Sequence, residues 1–314
     1  MRQMTTRSAL GLTGIVVTVA VAFSLGACGA GGEEERDTAR ETTARDWQPV
    51  GEALGKKGEL EDGGVYSVSW PRSDLKVRSE GITIEPALAL GSHAEFLQVG
   101  DDEALMRGDL VLTEDEFNRV IARLQEGGVG QTAIHKHLLD QSPAIWWTHI
   151  SGRGDPLEIA RTVRAALELS DTPLGEAQPK DPGRLALDTQ RLDEIMGIEG
   201  KAAGGVYKFS VPRPEEITVD GVKVPSAMGT AMPLNFQPTG AGRAAINGDF
   251  VMRAEEVDSV VRMLREADIK VVALHNHFLT DEPRLFFLHF WADGDAETLA
   301  RGLRRALEQT KAAP

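Results

Sequence analysis

Apolar and polar residues alternate along 65–70 and again along 206–211, the period of a half-buried strand. Further strands are expected near 75–84 and 94–99. A longer one runs over 104–112, with a turn or bulge at its Gly108-Asp109 step. The period then changes. Thr113-Glu114-Asp115-Glu116 has the spacing of a capping box, and Phe117, Val120, Ile121 and Leu124 form a helical stripe that Gly127-Gly128 ends. Val257, Val260, Val261 and Leu264 repeat that stripe. Asp155 and Asp295 stand where the N-cap of a closing helix is expected. Leu157, Ala160, Val163 and Leu167 line the first of these helices, and Leu299, Leu303 and Leu307 the second.

The pattern occurs twice. Gly63-Gly64-Val65-Tyr66 returns as Gly204-Gly205-Val206-Tyr207, Pro71-Arg72 as Pro212-Arg213, and Gly108-Asp109-Leu110-Val111 as Gly248-Asp249-Phe250-Val251. Offsets of 140–141 residues are too long for a solenoid and indicate a duplicated domain. The expected fold class is α+β: two tandem homologous domains, each a mostly antiparallel sheet with about two helices. The first repeat spans 47–170 and the second 186–310, joined by a Pro/Gly-rich linker over 171–185.

Histidine is distributed unevenly. Of seven in the chain, His135, His137 and His149 fall in one repeat and His275, His277 and His289 at matching positions in the other; His93 stands apart. Two strands joined by a short turn at Asp281-Glu282-Pro283 would pair 275 with 289. Because side chains alternate, all three imidazoles would then share a face. The same arithmetic pairs 135 with 149, and a register slip of one residue would undo it. Three neutral imidazoles suit a transition metal, zinc foremost, and leave one coordination position open. Histidines held by the fold alone are the alternative. Two separate sites, or one shared across the interface between repeats, are both compatible with the spacing. Glu282, at the second turn, is the candidate catalytic acid or base. Asp109 and Asp249 are expected to bond nearby backbone, and Arg72 and Arg213 to form structural ion pairs.

The N-terminus adds a compartment. Arg2 and Arg7 precede an apolar run that ends in Leu25-Gly26-Ala27-Cys28. This is the form of a secretory signal with a lipobox over 1–28, in which Cys28 is the lipidated residue. A flexible tether would follow over 29–46. The expected location is outside the cell proper, lipid-anchored to the outer face of a bacterial membrane through Cys28. Cys28 is the only cysteine, so no disulfide forms within the chain. The formal charge of −14 argues against nucleic acid as a partner.

Ala273-Leu274-His275-Asn276-His277, Pro283-Arg284-Leu285-Phe286-Phe287-Leu288-His289-Phe290-Trp291 and Gly248-Asp249-Phe250-Val251 resemble the LppY/LpqO family, the DUF1259 domain. So do Gly205-Val206-Tyr207, Pro212-Arg213 and Asn235-Phe236-Gln237-Pro238-Thr239-Gly240. The family includes bacterial lipoproteins, so the resemblance implies a lipoprotein with two tandem copies of the domain, and no particular activity. His-x-His with a third histidine on the next strand is also similar to the zinc site of acetolactate decarboxylases, which implies metal-dependent hydrolase or lyase chemistry. Copy one departs with Lys136 in place of Asn276. The competing reading is a non-enzymatic surface binding module, or a metal carrier.

Overall fold

The computed structural model describes residues 46–175 and 185–312. The signal sequence, Cys28, all of the tether before Asp46 and the 176–184 part of the linker lie outside the described residues. The first repeat runs α1 (Gln48–Leu54), β1 (Glu59–Glu61), β2 (Val65–Pro71), β3 (Arg78–Ser79), β4 (Ile82–Thr83), α2 (Pro86–Ala89), β5 (Gly91–Gly100), β6 (Glu103–Thr113), α3 (Glu114–Glu126), β7 (Gly130–His135), β8 (Gln141–Ser142), β9 (Ile145–Gly154) and α4 (Pro156–Leu167). The second runs α5 (Thr189–Met196), β10 (Lys201–Ala203), β11 (Val206–Pro212), β12 (Thr218–Val219), β13 (Val222–Lys223), β14 (Ala231–Gly240), β15 (Arg243–Met252), α6 (Val257–Glu266), β16 (Lys270–His275), β17 (Asp281–Glu282), β18 (Phe286–Asp295) and α7 (Ala296–Leu307).

Each repeat builds one six-stranded antiparallel sheet, in the order β1-β2-β5-β6-β9-β7 and β10-β11-β14-β15-β18-β16. The fold is α+β, as expected, with helices α1, α2 and α5 in addition to the two per repeat that the periodicity predicts. The β6 strand shows how the layers arise. Met106, Leu110 and Leu112 point into a core with Val120, Leu124, Ile159 and Val163 of the helices. The alternate residues turn the other way: Leu105 joins the core of the second repeat, and Val111 meets Trp291 and Ala245. The two sheets therefore face each other, and each carries its helices on its outer face. Together the repeats form one compact unit.

Gly108 makes neither a turn nor a bulge, contrary to expectation. It sits in unbroken register between Ala94 and Ile150. Glycine is needed because a Cβ there would run into the carbonyl oxygen of His93, and one at Gly248 into that of Pro233.

The capping box at Thr113 and Glu116 forms, and the Asp155 and Asp295 side chains cap α4 and α7. Arg72 is fully buried and pairs with Glu116 through Nη1–Oε2 at 2.8 Å and Nη2–Oε1 at 3.1 Å. It also bonds Asp74 and the carbonyl of Val111. Arg213 repeats the set with Glu256, Glu215 and Val251. These are structural ion pairs. Burial pushes the Glu116 and Glu256 carboxyls up, but the arginine and backbone donors outweigh it and hold both below the ordinary range.

Candidate metal centre

The site grows from the middle of each sheet. On β6, Asp109 lies directly opposite His149 of β9, and His149 lies opposite Ala133 of β7. His135 pairs with Trp147, two residues from the expected partner. A shift of two preserves the face where a shift of one would reverse it, so His135 and His149 remain together. Copy two repeats this with Asp249 opposite His289, His289 opposite Ala273, and His275 opposite Phe287.

The connection is longer than a tight hairpin. His137 and His277 lie just beyond the ends of β7 and β16, in loops that each carry a further two-residue strand, β8 or β17. Each loop folds its histidine back over an aromatic ring. His137 stacks on Trp147 (4.6 Å between centroids, 12°) and His277 on Phe287 (3.6 Å, 14°). Bonds from the opposite copy hold the loops: Asn247 Nδ2 donates to the His137 carbonyl at 2.6 Å, and Thr132 Oγ1 to the His277 carbonyl at 2.6 Å.

Because the sheets face each other, the two histidine triads meet as one cluster. His135 stacks on His275 with centroids 4.1 Å apart. His137 lies 3.8 Å from His289, and His149 lies 4.1 Å from His277. The pattern has an approximate two-fold symmetry: His135–His149 and His275–His289 are both 4.6 Å. Ligand atoms of His135, His149 and His275 lie within 4.8 Å of one another, as do those of His135, His137 and His289, and those of Asp249, His275 and His277.

Two residues that the sequence reading assigned to local backbone belong to this cluster. Asp249 Oδ2 is 2.9 Å from His277 Nε2, and Asp109 Oδ2 is 3.2 Å from His137 Nε2. Both aspartates are 2% exposed. The signal for them was an acid recurring inside an otherwise apolar strand in both repeats. Glu282 is placed elsewhere: it is exposed on β17, where its backbone pairs with Thr218. Asp281 accepts from Leu285 N and pairs with Arg284, which makes both turn residues. Lys136 points away from the histidines, its Nζ 3.9 Å from the Trp146 ring centroid. Arg107 packs against Gly229 of the other copy, near His93 and Glu95, and the sequence reading singled out neither Arg107 nor Glu95.

Burial sets the protonation. Desolvation, reinforced by neighbouring imidazoles, pushes His135, His137 and His149 well below the ordinary histidine value. It also lowers His277, although Asp249 opposes it, and takes His275 down to about 2. These rings are neutral at pH 7 and carry lone pairs. Three rings of the cluster have Nδ1 beside a backbone carbonyl. His289 Nδ1 is 2.9 Å from the Gly248 carbonyl, His149 Nδ1 is 3.4 Å from that of Gly108, and His277 Nδ1 is 3.0 Å from that of Gly229. Only an N–H satisfies a carbonyl, so Nε2 is the free acceptor in each. Nε2 of His289 and of His149 are buried without a hydrogen-bond partner, as are both nitrogens of His275, Nδ1 of His135, Asp109 Oδ1 and Asp249 Oδ1, while His277 Nε2 and Asp249 Oδ2 face each other at 2.9 Å, acceptor against acceptor in this tautomer. So many unsatisfied donor atoms at one buried point would be costly without something to bind. Imidazole and carboxylate donors fit zinc, copper, nickel or iron.

Among solved structures, the chain is similar to a trimeric bacterial microcompartment shell protein, PduB, at 12% identity, with 80% of this chain and 89% of that one covered and a TM-score of 0.19. EtuB from Clostridium kluyveri is similar at 10% identity over 80% and 88%, with a TM-score of 0.21. Likenesses at these scores carry no inference about this chain. No match is found among curated proteins. The family described as Domain of Unknown Function (DUF1259) matches residues 48–169 and 190–309, the two halves that supply the histidines. The chain therefore belongs to the DUF1259 family and holds its domain in two tandem copies.

Proposed function

We propose that this protein binds a transition metal, zinc foremost, in a centre shared between its two repeats. The observation that carries this reading is the convergence of six imidazoles and two carboxylates, most of which have a buried donor atom with no hydrogen-bond partner. His135, His137, His149, His275, His277 and His289 would hold the metal, with Asp109 and Asp249 supplying negative charge. A bound ion with an open position would lower the pKa of a water or polarise a carbonyl, which is the chemistry of a metal-dependent hydrolase or lyase. A second reading, metal storage or delivery without turnover, is supported by burial: of the clustered histidines in contact with Asp109 or Asp249, His137 has the most exposed side chain, at 14%, and His149, His275, His277 and His289 are at 4–8%.

Elemental analysis of the full chain, purified without added metal or chelator, tests the shared reading. Near-stoichiometric transition metal is expected. No metal, and none acquired on titration, would overturn it. Turnover of ester, amide or 2-oxo acid substrates by the loaded protein would then favour the enzyme, and release of metal to a chelator without turnover the carrier.

The lipobox supports a further part of the proposal, that Cys28 anchors the protein to the outer face of a bacterial membrane. Cys28→Ser should abolish labelling by a radioactive fatty acid and release the protein from membranes. Labelling that persists would sink the anchor.

A further inference from the structure

Resting on the metal-binding reading, we propose that the shared centre holds two ions and that their ligand sets are crossed. Each ion takes two histidines and the aspartate from one copy and its third histidine from the other. One set is Asp109, His135, His137 and His289; the other is Asp249, His275, His277 and His149.

Geometry separates this arrangement from its competitors. Within the first set, the Nε2 atoms of His135 and His137 approach to 2.9 Å, Asp109 Oδ2 lies 3.2 Å from His137 Nε2, and His289 is within reach of both imidazoles. The matching approach in the second set is Asp249 Oδ2 to His277 Nε2, at 2.9 Å, and His149 lies 4.1 Å from His277 ring to ring. The third histidine on a copy's own strand points its free nitrogen toward the opposite set, because its Nδ1 is tied to the Gly108 or Gly248 carbonyl beneath it. Such a bond to the far nitrogen is what orients a ligating histidine.

The alternative is a single ion on His135, His149 and His275. That set supplies no charged ligand, and the nearest carboxylates stand behind it, Asp249 Oδ2 3.9 Å from His275 Nε2 and Asp109 Oδ1 3.9 Å from His149 Nδ1. It also leaves His137, His277 and two buried carboxylates unused, and an unpaired buried charge is expensive. The crossed sets use each of the six clustered histidines and both aspartates once. Each gives four protein donors and one negative charge per ion. Four protein donors describe a closed site, the form structural zinc takes, so this arrangement favours holding metal over turning substrate over.

Two experiments on the full chain test the proposal. Zinc titration monitored by calorimetry, with elemental analysis at saturation, should give two ions per chain. Anomalous diffraction from crystals of the unaltered protein should show two peaks flanking the His135–His275 stack. One peak on the stack, or one ion per chain, would overturn the two-ion arrangement while leaving metal binding intact. No metal at all would overturn both readings. The crossing is tested in an Asp249→Asn/His277→Ala background, checked for folding by circular dichroism, in which one ion should remain. Adding His289→Ala should weaken that ion at least 100-fold, and adding His149→Ala should change it less than threefold. The reverse order would show that each copy uses its own three histidines. If these variants do not fold, the two diffraction peaks and their ligands decide alone.

Discussion

The two repeats agree in the histidines and aspartates of the cluster and differ in the polar layer beside it. Asp109, His149 and Ala133 cross the first sheet as Asp249, His289 and Ala273 cross the second. On the next strand and its neighbours, copy one has His93, Glu95 and Arg107 where copy two has Pro233, Asn235 and Asn247. This trio is loosely knit: His93 Nε2 is 3.4 Å from Glu95 Oε1, and Arg107 Nε is 3.7 Å from Glu95 Oε2. Asn247, by contrast, spends its amide on the His137 and Phe290 carbonyls. The aspartates diverge with their surroundings. Burial pushes the Asp109 carboxyl up, whereas His289, His275 and the close contact of His277 overcome burial at Asp249 and hold it below the ordinary range. The copies thus keep the histidines and aspartates of the cluster and differ in the polar side chains beside it, even though Arg107 and Asn247 both reach the opposite copy.

Acid should break this comparison most severely, because it acts on both copies at once. Five of the clustered histidines have folded values pushed below the unfolded value near 6.5. The unfolded chain then binds more protons, so stability present above about pH 6.5 is lost as pH falls, continuing toward about 2 for His275. Each neutral histidine contributes a slope of roughly 1.4 kcal/mol per pH unit in that window. Together they would exhaust an ordinary domain's ~5–15 kcal/mol within about one to two units. Urea unfolding of chelator-treated protein from pH 8 to pH 5 should show that collapse, and zinc should delay it. A flat profile would mean the rings titrate in the folded protein as they do in the unfolded chain.

The arginine pairs should test equivalence next. Arg72→Met and Arg213→Met each strand a buried glutamate, at a cost of about 3–5 kcal/mol, read from urea midpoints. Similar losses would show that the pair does the same work in both copies. A loss confined to one would show that the other copy's network has redundant donors.

A smaller effect is expected in the outer layer. Arg107→Asn takes the arginine away from buried Glu95 and should cost about 1–3 kcal/mol. Glu95→Asn combined with Arg107→Asn rebuilds the copy-two layer in copy one and should recover most of that loss in the same unfolding assay. If the double variant is no better than the single, the layer has a role other than pairing.

The helix caps should give the smallest difference. Asp155→Ala and Asp295→Ala each remove a side-chain acceptor from the first turn of the closing helix and should lower stability by about 1 kcal/mol apiece. Thermal melts would resolve a shared effect from an asymmetric one.

Much of this architecture was legible in the sequence. The 140-residue offset located both copies, the switch from a period of two to a helical stripe located β6 and α3, and Thr113 with Glu116 marked the boundary. Helices α1 and α5 were not legible: each is short, and its apolar residues pack on the closing helix of its own repeat rather than forming a long stripe. Strand parity placed His135 with His149 and His275 with His289, and it survived a two-residue error in register because the side-chain period is two. Parity could not say what lies across the face. A strand pattern fixes which side chains share a surface but carries no information about what covers that surface. Only the packing of one sheet on the other turned two triads into one cluster, brought Asp109 and Asp249 into it, and left Glu282 on an exposed strand outside it.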